Sequence, residues 1–239
     1  GCAKHVYTTD ERPSITETPI PAWHLIDMEK YFLLNVQYSR GCPMDCEFCD
    51  ITVLNGRVPR TKTSDQMIAE LEALYKIGWR NEALVVDDNF IGNKNKLKNE
   101  ILPAMIEWMK LRNYPFTLFT ESSINLADDD ELMQLMVNAN FNRVFVGIET
   151  PNEDSLVECN KFQNNKRDLI SSVKKIQNYG MMVDGGFIVG FDQDPKSIFQ
   201  RQIDFIQKSG IVTAMVGMLN APVGTKLYKR LEKEERLLT

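Results

Sequence analysis

Along this chain the spacing of apolar residues switches repeatedly between two patterns. From residue 31 onward, short unbroken apolar runs alternate with longer stretches in which apolar residues recur every three or four positions. The runs at residues 31–36, 83–86, 116–119, 144–148, 182–189 and 211–219 have the length and character of strands buried on both faces. Between them lie five amphipathic patterns. They carry Met67, Ile68, Leu71, Leu74 and Tyr75; Leu97, Ile101, Met105 and Trp108; Leu132, Leu135 and Met136; Leu169, Ile170, Val173 and Ile176; and Ile198, Phe199, Ile203 and Ile206. A last helix is expected near Thr225. Thr63 and Gln66 have the spacing of a capping box, and Asp128 with Glu131 reads as the cap of the helix bearing Leu132. Gly78, Gly180 and Gly210 stand where helices should stop. Pro103 falls inside its helical pattern and is expected to kink it.

Six strands, each followed by a helix, predict a parallel sheet, because parallel neighbours need a crossover. Crossovers of one hand curl such a sheet toward a barrel. The expected fold is therefore α/β, a partial (β/α)6 TIM-like barrel over residues 31–239, short of the eight units that close a full barrel. Residues 1–30 carry Pro13, Pro19 and Pro21 without a sustained period and read as a lead-in or inter-domain linker. A start at Gly1 and an apolar pattern, Leu227, Tyr228 and Leu231, running toward the last residue imply a piece of a longer protein cut within a helix.

Charge and cysteine usage narrow the setting. A net charge of −5 argues against nucleic acid as partner, since phosphates call for a basic surface. No apolar run approaches the ~20 residues of a membrane-crossing helix, and no signal peptide is visible. Five cysteines, three of them clustered, suit a reducing cytoplasm rather than a disulfide scaffold.

The clustered cysteines carry the chemistry. Arg40-Gly41-Cys42-Pro43-Met44-Asp45-Cys46-Glu47-Phe48-Cys49-Asp50 follows the first strand and spaces three thiols as C-x3-C-x2-C. Three thiolates in one loop can hold three irons of a 4Fe-4S cluster and leave the fourth open to a small molecule. Cys2 and Cys159, the other thiols, lie far away in sequence. The alternative is a structural zinc site with His24, Cys2 or Cys159 as fourth ligand, although no second C-x2-C pair accompanies the loop. Polar groups also recur at the ends of the later strands, where βα barrels keep their chemistry. They are Asp87, Asp88 and Asn89 after the second strand, Glu121 after the third and Glu149 at the end of the fourth. The fifth strand contributes the glycine-rich residues 185–190.

With Phe48 as the aromatic, the loop resembles the C-x3-C-x-aromatic-C signature of the radical S-adenosylmethionine (radical SAM) enzymes. That resemblance implies a 4Fe-4S cluster on Cys42, Cys46 and Cys49, with SAM chelated to the open iron. It also implies reductive cleavage of SAM to a 5′-deoxyadenosyl radical, with electrons from a donor such as flavodoxin or ferredoxin. Asp87-Asp88-Asn89 stands where the family has a Gly-Gly-Glu-like segment touching the SAM amino group, and Glu121 joins this cofactor-binding set. Glu149 matches the position that meets the ribose, and Gly186, Ile188 and Gly190 match the G-x-I-x-G segment beneath adenine. Arg57, Arg60 and Lys62 either pair with the SAM carboxylate or are surface charges. Gly56-Arg57-Val58-Pro59-Arg60, Gly78-Trp79-Arg80, the segment from Val86 to Asn93 and Ala214-Met215-Val216-Gly217 resemble the cobalamin-dependent group that includes the hopanoid-ring methylases. The lead-in from Thr18 to Asp27 is similar to the connector that follows the cobalamin-binding domain in that group. This narrower resemblance implies methylation of an unactivated carbon in a small molecule or lipid, a hopanoid being one possibility. A cobalamin-independent radical SAM oxidoreductase or isomerase and a non-catalytic zinc-binding module are the competing readings.

Overall fold

The computed structural model describes residues 5–6 and 11–237; Cys2 lies outside the described residues. The chain enters the main sheet at β1 (Leu34–Val36). It then makes an excursion in which β2 (Ser39–Arg40) pairs antiparallel with β3 (Arg60–Thr61). That small ladder pinches together the base of the cysteine loop, which also carries the single turn α1 (Ile51–Leu54). Regular alternation follows: α2 (Ser64–Lys76), β4 (Ala83–Val85), α3 (Lys94–Lys96), α4 (Leu102–Leu111), β5 (Leu118–Ser122), α5 (Asp130–Asn138) and β6 (Phe141–Glu149). After α6 (Glu153–Glu158) and α7 (Leu169–Asn178) come β7 (Met182–Val189), α8 (Ile198–Ser209), β8 (Thr213–Met218) and α9 (Lys226–Lys233).

Strands β1, β4, β5, β6, β7 and β8 lie side by side in chain order, every neighbour parallel. β1 and β8 form the two edges and do not pair, so the expected partial barrel is open on one side. Val36, Val85, Leu118, Val144, Val146, Ile148 and Val183 are sealed beneath Leu71, Leu74, Met105, Met136, Val173 and Ile176 of the helices. Burial of apolar area of this kind, roughly 25 cal/mol per Å², is the main force assembling the layers. Alternate residues of the same strands, Glu121, Phe145, Gly147 and Glu149, point to the concave side and line a cavity there.

Several boundaries differ from expectation for local reasons. Tyr31 and Phe32 lie outside the first strand and are largely exposed. The third strand begins at Leu118, because Asn113 and Tyr114 adopt left-handed backbone (φ 55° and 50°) and turn the chain just before it. Ahead of Pro103 the helix is a widened π turn, Leu97–Ile101, and the proline sits in the first turn of the α-helical part that follows. The cap of α5 is Asp129, whose carboxylate accepts the Leu132 amide proton (3.1 Å). Asp128 instead forms a two-pronged pair with Arg167 (2.7 and 2.6 Å). On α8 the buried side is Ile198, Gln202 and Phe205, while Phe199 and Ile203 face outward. α9 ends at Lys233, with Glu234 as its cap.

Residues 11–30 lie against the barrel in three single turns, with Ile15 buried. Arg12 donates to the carbonyls of Val53 and Leu54 (3.0 and 3.3 Å), so this segment passes beside the cysteine loop. Gln66 donates to the Thr16 carbonyl (2.7 Å) and fastens the strap to α2. Among the described residues no helix is long and apolar enough to cross a membrane.

Candidate active site

The cysteine loop folds back over the carboxyl end of the sheet. Gly41 has φ 102°, and a side chain there would press on the carbonyls of Gly56 and Val58 at 3.0 Å. Only glycine allows that close return. Cys42, Cys46 and Cys49 are free thiols of intermediate exposure that line one cavity of about 160 Å³ together with Phe48. Burial pushes the Cys42 thiol above its ordinary value and Cys49 up to about 11. Coordination to a metal reverses that preference by stabilising the thiolates. An all-sulfur donor set on a shared hollow fits a cluster that draws each thiolate to a different iron. Two side-chain amides face the sulfurs, Asn89 Nδ2 at 3.7 Å from Cys42 Sγ and Gln163 Nε2 at 3.8 Å from Cys46 Sγ. Cys159 is buried beneath the loop, where its carbonyl accepts the Glu47 amide proton (2.9 Å). Neither its thiol nor His24 lines the cavity.

The segment after β4 braces the loop. Asp88 Oδ2 accepts from the Gly41 amide (2.7 Å) and from Asn55 Nδ2 (3.0 Å). Asn89 accepts from the Ser123 amide (3.2 Å) and reaches Cys42 on its other side. Both line the cavity with their outer surfaces. Asp87 does not line it. It is buried, accepts from the Tyr38 amide (2.8 Å) and the Ser39 hydroxyl (2.5 Å), and is pushed up to about 7 by desolvation. Its two oxygens are taken up by Tyr38 and Ser39 at the base of the cysteine loop, away from the cavity.

Glu121 presents its carboxylate to the cavity, and burial, with Asp88 close by, raises its pKa. Glu149 reaches the same hollow from β6, with only 7% of its surface exposed. Lys161, 8% exposed, meets it at 2.6 Å. Sequence reading missed Lys161. It follows α6 in a polar, aperiodic stretch, and only the fold brings it back to Glu149; burial disfavours its charge, but the Glu149 carboxylate outweighs that and holds the ammonium protonated. Gly186 and Ile188 line an adjoining hollow of about 320 Å³ that shares Phe145, Gly147 and Glu149 with the first. Gly190 belongs elsewhere: it faces an outer groove beside Phe199 and Met218, and its amide donates to Asp194 (2.8 Å).

Of the three basic residues after the loop, Lys62 is buried in an ion pair with Glu70, and Arg60 donates to the Pro13 and Asn55 carbonyls. Both are thereby removed from the cavity. Arg57 stays at the loop, 3.3 Å from Asp45. A larger cavity of about 540 Å³, lined by Tyr31, Phe32 and Tyr114, opens near the amino ends of the strands and contains no thiol.

Residues 36–218 match the family model of the Radical SAM superfamily. The chain is 46% identical over 233 residues to an uncharacterized methyltransferase of Synechocystis, covering 98% of this chain and 43% of the relative. It is 40% identical to the hopanoid C-2 methylase of Rhodopseudomonas palustris, covering 98% of this chain and 44% of that enzyme. It thus spans less than half the length of these relatives. Among solved structures, the radical SAM methyltransferase TsrM of Kitasatospora setae, with cobalamin and a [4Fe-4S] cluster bound, superposes with a TM-score of 0.76 at 16% identity. That match covers 94% of this chain and 43% of TsrM and speaks for the fold. A parallel six-stranded barrel, three thiols at its mouth and a family match over most of the length agree: this chain belongs to the radical SAM superfamily, whose cofactors are a 4Fe-4S cluster and S-adenosylmethionine.

Proposed function

We propose that this chain is the catalytic barrel of a cobalamin-dependent radical SAM methyltransferase, with Cys42, Cys46 and Cys49 as the cluster ligands. The observation that carries the reading is the convergence of those three thiols, Glu149 and Lys161 on one cavity at the carboxyl end of the sheet. A cluster on Cys42, Cys46 and Cys49 with SAM would supply radical chemistry, and cobalamin would supply the methyl group. The chain's own residues bind and orient. Glu149 accepts the ribose hydroxyls, and Lys161, now paired with Glu149, is the cation among the residues lining the thiol cavity and the one offered to the SAM carboxylate. Glu121 offers a carboxylate to the SAM ammonium, a cation that offsets the nearby Asp88 charge. Gly186 and Ile188 give the adenine an open backbone and an apolar surface.

The methyl-transfer reading is supported by the 46% and 40% identities to proteins named as methyltransferase and methylase. The path of the lead-in agrees with it, since Arg12 lies on the carbonyls of Val53 and Leu54 beside the cysteine loop. A cobalamin domain joined through this segment would stand at the barrel mouth. The substrate is an unactivated carbon of a small molecule or lipid. The 40% identity to a hopanoid C-2 methylase favours an apolar compound of the hopanoid kind. SAM titration of the reduced, cluster-loaded protein tests the assignment. Glu149→Gln should keep the cluster and weaken SAM binding, by the roughly 1.5–3 kcal/mol of a charged hydrogen bond, or about ten- to a hundredfold. Unchanged affinity would remove Glu149 from the ribose.

A further inference from the structure

α9 turns back over the barrel mouth and grips the cysteine loop from outside. Lys226 meets Asp45 at 2.5 Å, and the Leu227 amide donates to the Glu47 carbonyl (3.0 Å). Arg230 Nε and Nη2 donate to the two carboxylate oxygens of Glu47 (2.7 and 3.3 Å). Glu47 lies between Cys46 and Cys49, is 7% exposed, and gives its own amide proton to Cys159. Each polar group of this one loop residue is therefore held, and α9 holds three of them. The same guanidinium reaches Glu158 at the end of α6 (3.3 Å) and Asp192 just past β7 (3.0 Å). One cation thus ties the thiol loop to the strand whose Gly186 and Ile188 line the adjoining hollow.

We propose that Arg230 is a positioning residue that sets how readily the cluster is reduced, by neutralising and fixing Glu47 beside it. The proposal rests on the reading that Cys42, Cys46 and Cys49 hold the cluster. A buried carboxylate left without its cation would oppose the arrival of another negative charge on the neighbouring cluster, and low local dielectric magnifies that opposition. Arg230 is placed to cancel the charge, and its bidentate geometry also fixes the loop between two of the ligands.

The test is the midpoint potential of the anaerobically reconstituted cluster, followed by spin resonance, with iron content measured alongside. Arg230→Gln should lower the midpoint by about 60 mV, tenfold in the one-electron equilibrium. Glu47→Gln, which removes a negative charge beside the cluster and leaves Arg230 with Glu158 and Asp192, should raise it. The double variant should return toward wild type, and Arg230→Lys should lie between wild type and Arg230→Gln. Should Arg230→Gln lose the loop structure altogether, the sign of the Glu47→Gln shift decides. A midpoint unchanged in Glu47→Gln, or a double variant as low as Arg230→Gln, would overturn the proposal while the cluster assignment stood. A wild-type protein that takes up no cluster on the three cysteines would overturn the parent reading instead.

Discussion

Glu149 is held in left-handed backbone (φ 64°) where the register between β6 and β7 slips, beyond Gly147. Such a conformation costs a non-glycine residue of order 1–3 kcal/mol, and here it turns the carboxylate back into the cavity. Gly147 makes the room: an added Cβ would collide with Glu149 Oε1 and stand 2.9 Å from Lys161 Nζ. Gly147→Ala should therefore leave iron content unchanged and weaken SAM binding by about tenfold; undiminished binding in a SAM titration would contradict this packing. Asp87 gives a second residue-scale expectation. Its carboxyl is raised from 3.8 to about 7 in the fold. Below its ordinary value both states hold the proton, and between that value and about 7 only the unfolded chain releases it. The Asp87 contribution to stability therefore falls as pH rises through that window and levels off above it. Asp87→Asn, with the same shape, should flatten this decline in denaturant unfolding measured at about pH 5 and about pH 8. A slope as steep as that of wild type would contradict the assigned burial.

Single helices show what local pattern encodes and where it stops. The capping box of α2 and the αL stop of α8 at Gly210 were legible because each needs only residues a few positions apart. The cap of α5 was misread by one position among three consecutive aspartates. Each can cap by composition, and the choice between Asp128 and Asp129 depends on Arg167, distant in sequence. Asp129→Ala should accordingly cost about 1 kcal/mol of stability. Asp128→Ala, which breaks a half-exposed ion pair, should cost less than about 1 kcal/mol. Equal losses in thermal unfolding would argue against Asp129 as the cap. The outward face of α8 was illegible for a related reason. Phe199 and Ile203 fit the apolar period, yet Ile198 and Phe205 won the buried side because Phe205 packs on Phe187 of β7.

At the scale of the molecule, the βα alternation was enough to read strand order, and the strand-end rule was enough to find the cavity from Cys42, Asn89, Glu121 and Glu149. Lys161, Gln163 and Arg230 were not readable, because none carries a periodic or motif signal; Gln163 and Arg230 reach the thiol loop across large sequence separations, and Lys161 meets Glu149 through the irregular turn after α6. Cys159 is the informative bystander. It lies directly beneath the loop, but its thiol is buried, pushed up to about 12, and directed to the Leu156 carbonyl. The cluster is therefore expected to be held by three thiolates, with one iron left open to SAM. The most direct test is iron and sulfide analysis, with the spin-resonance spectrum, after anaerobic reconstitution. About four irons per chain are predicted in wild type and in Cys159→Ala, and no cluster in Cys46→Ala. Loss of the cluster in Cys159→Ala would give the fourth iron a protein ligand, leave SAM no open site, and contradict the account at its centre.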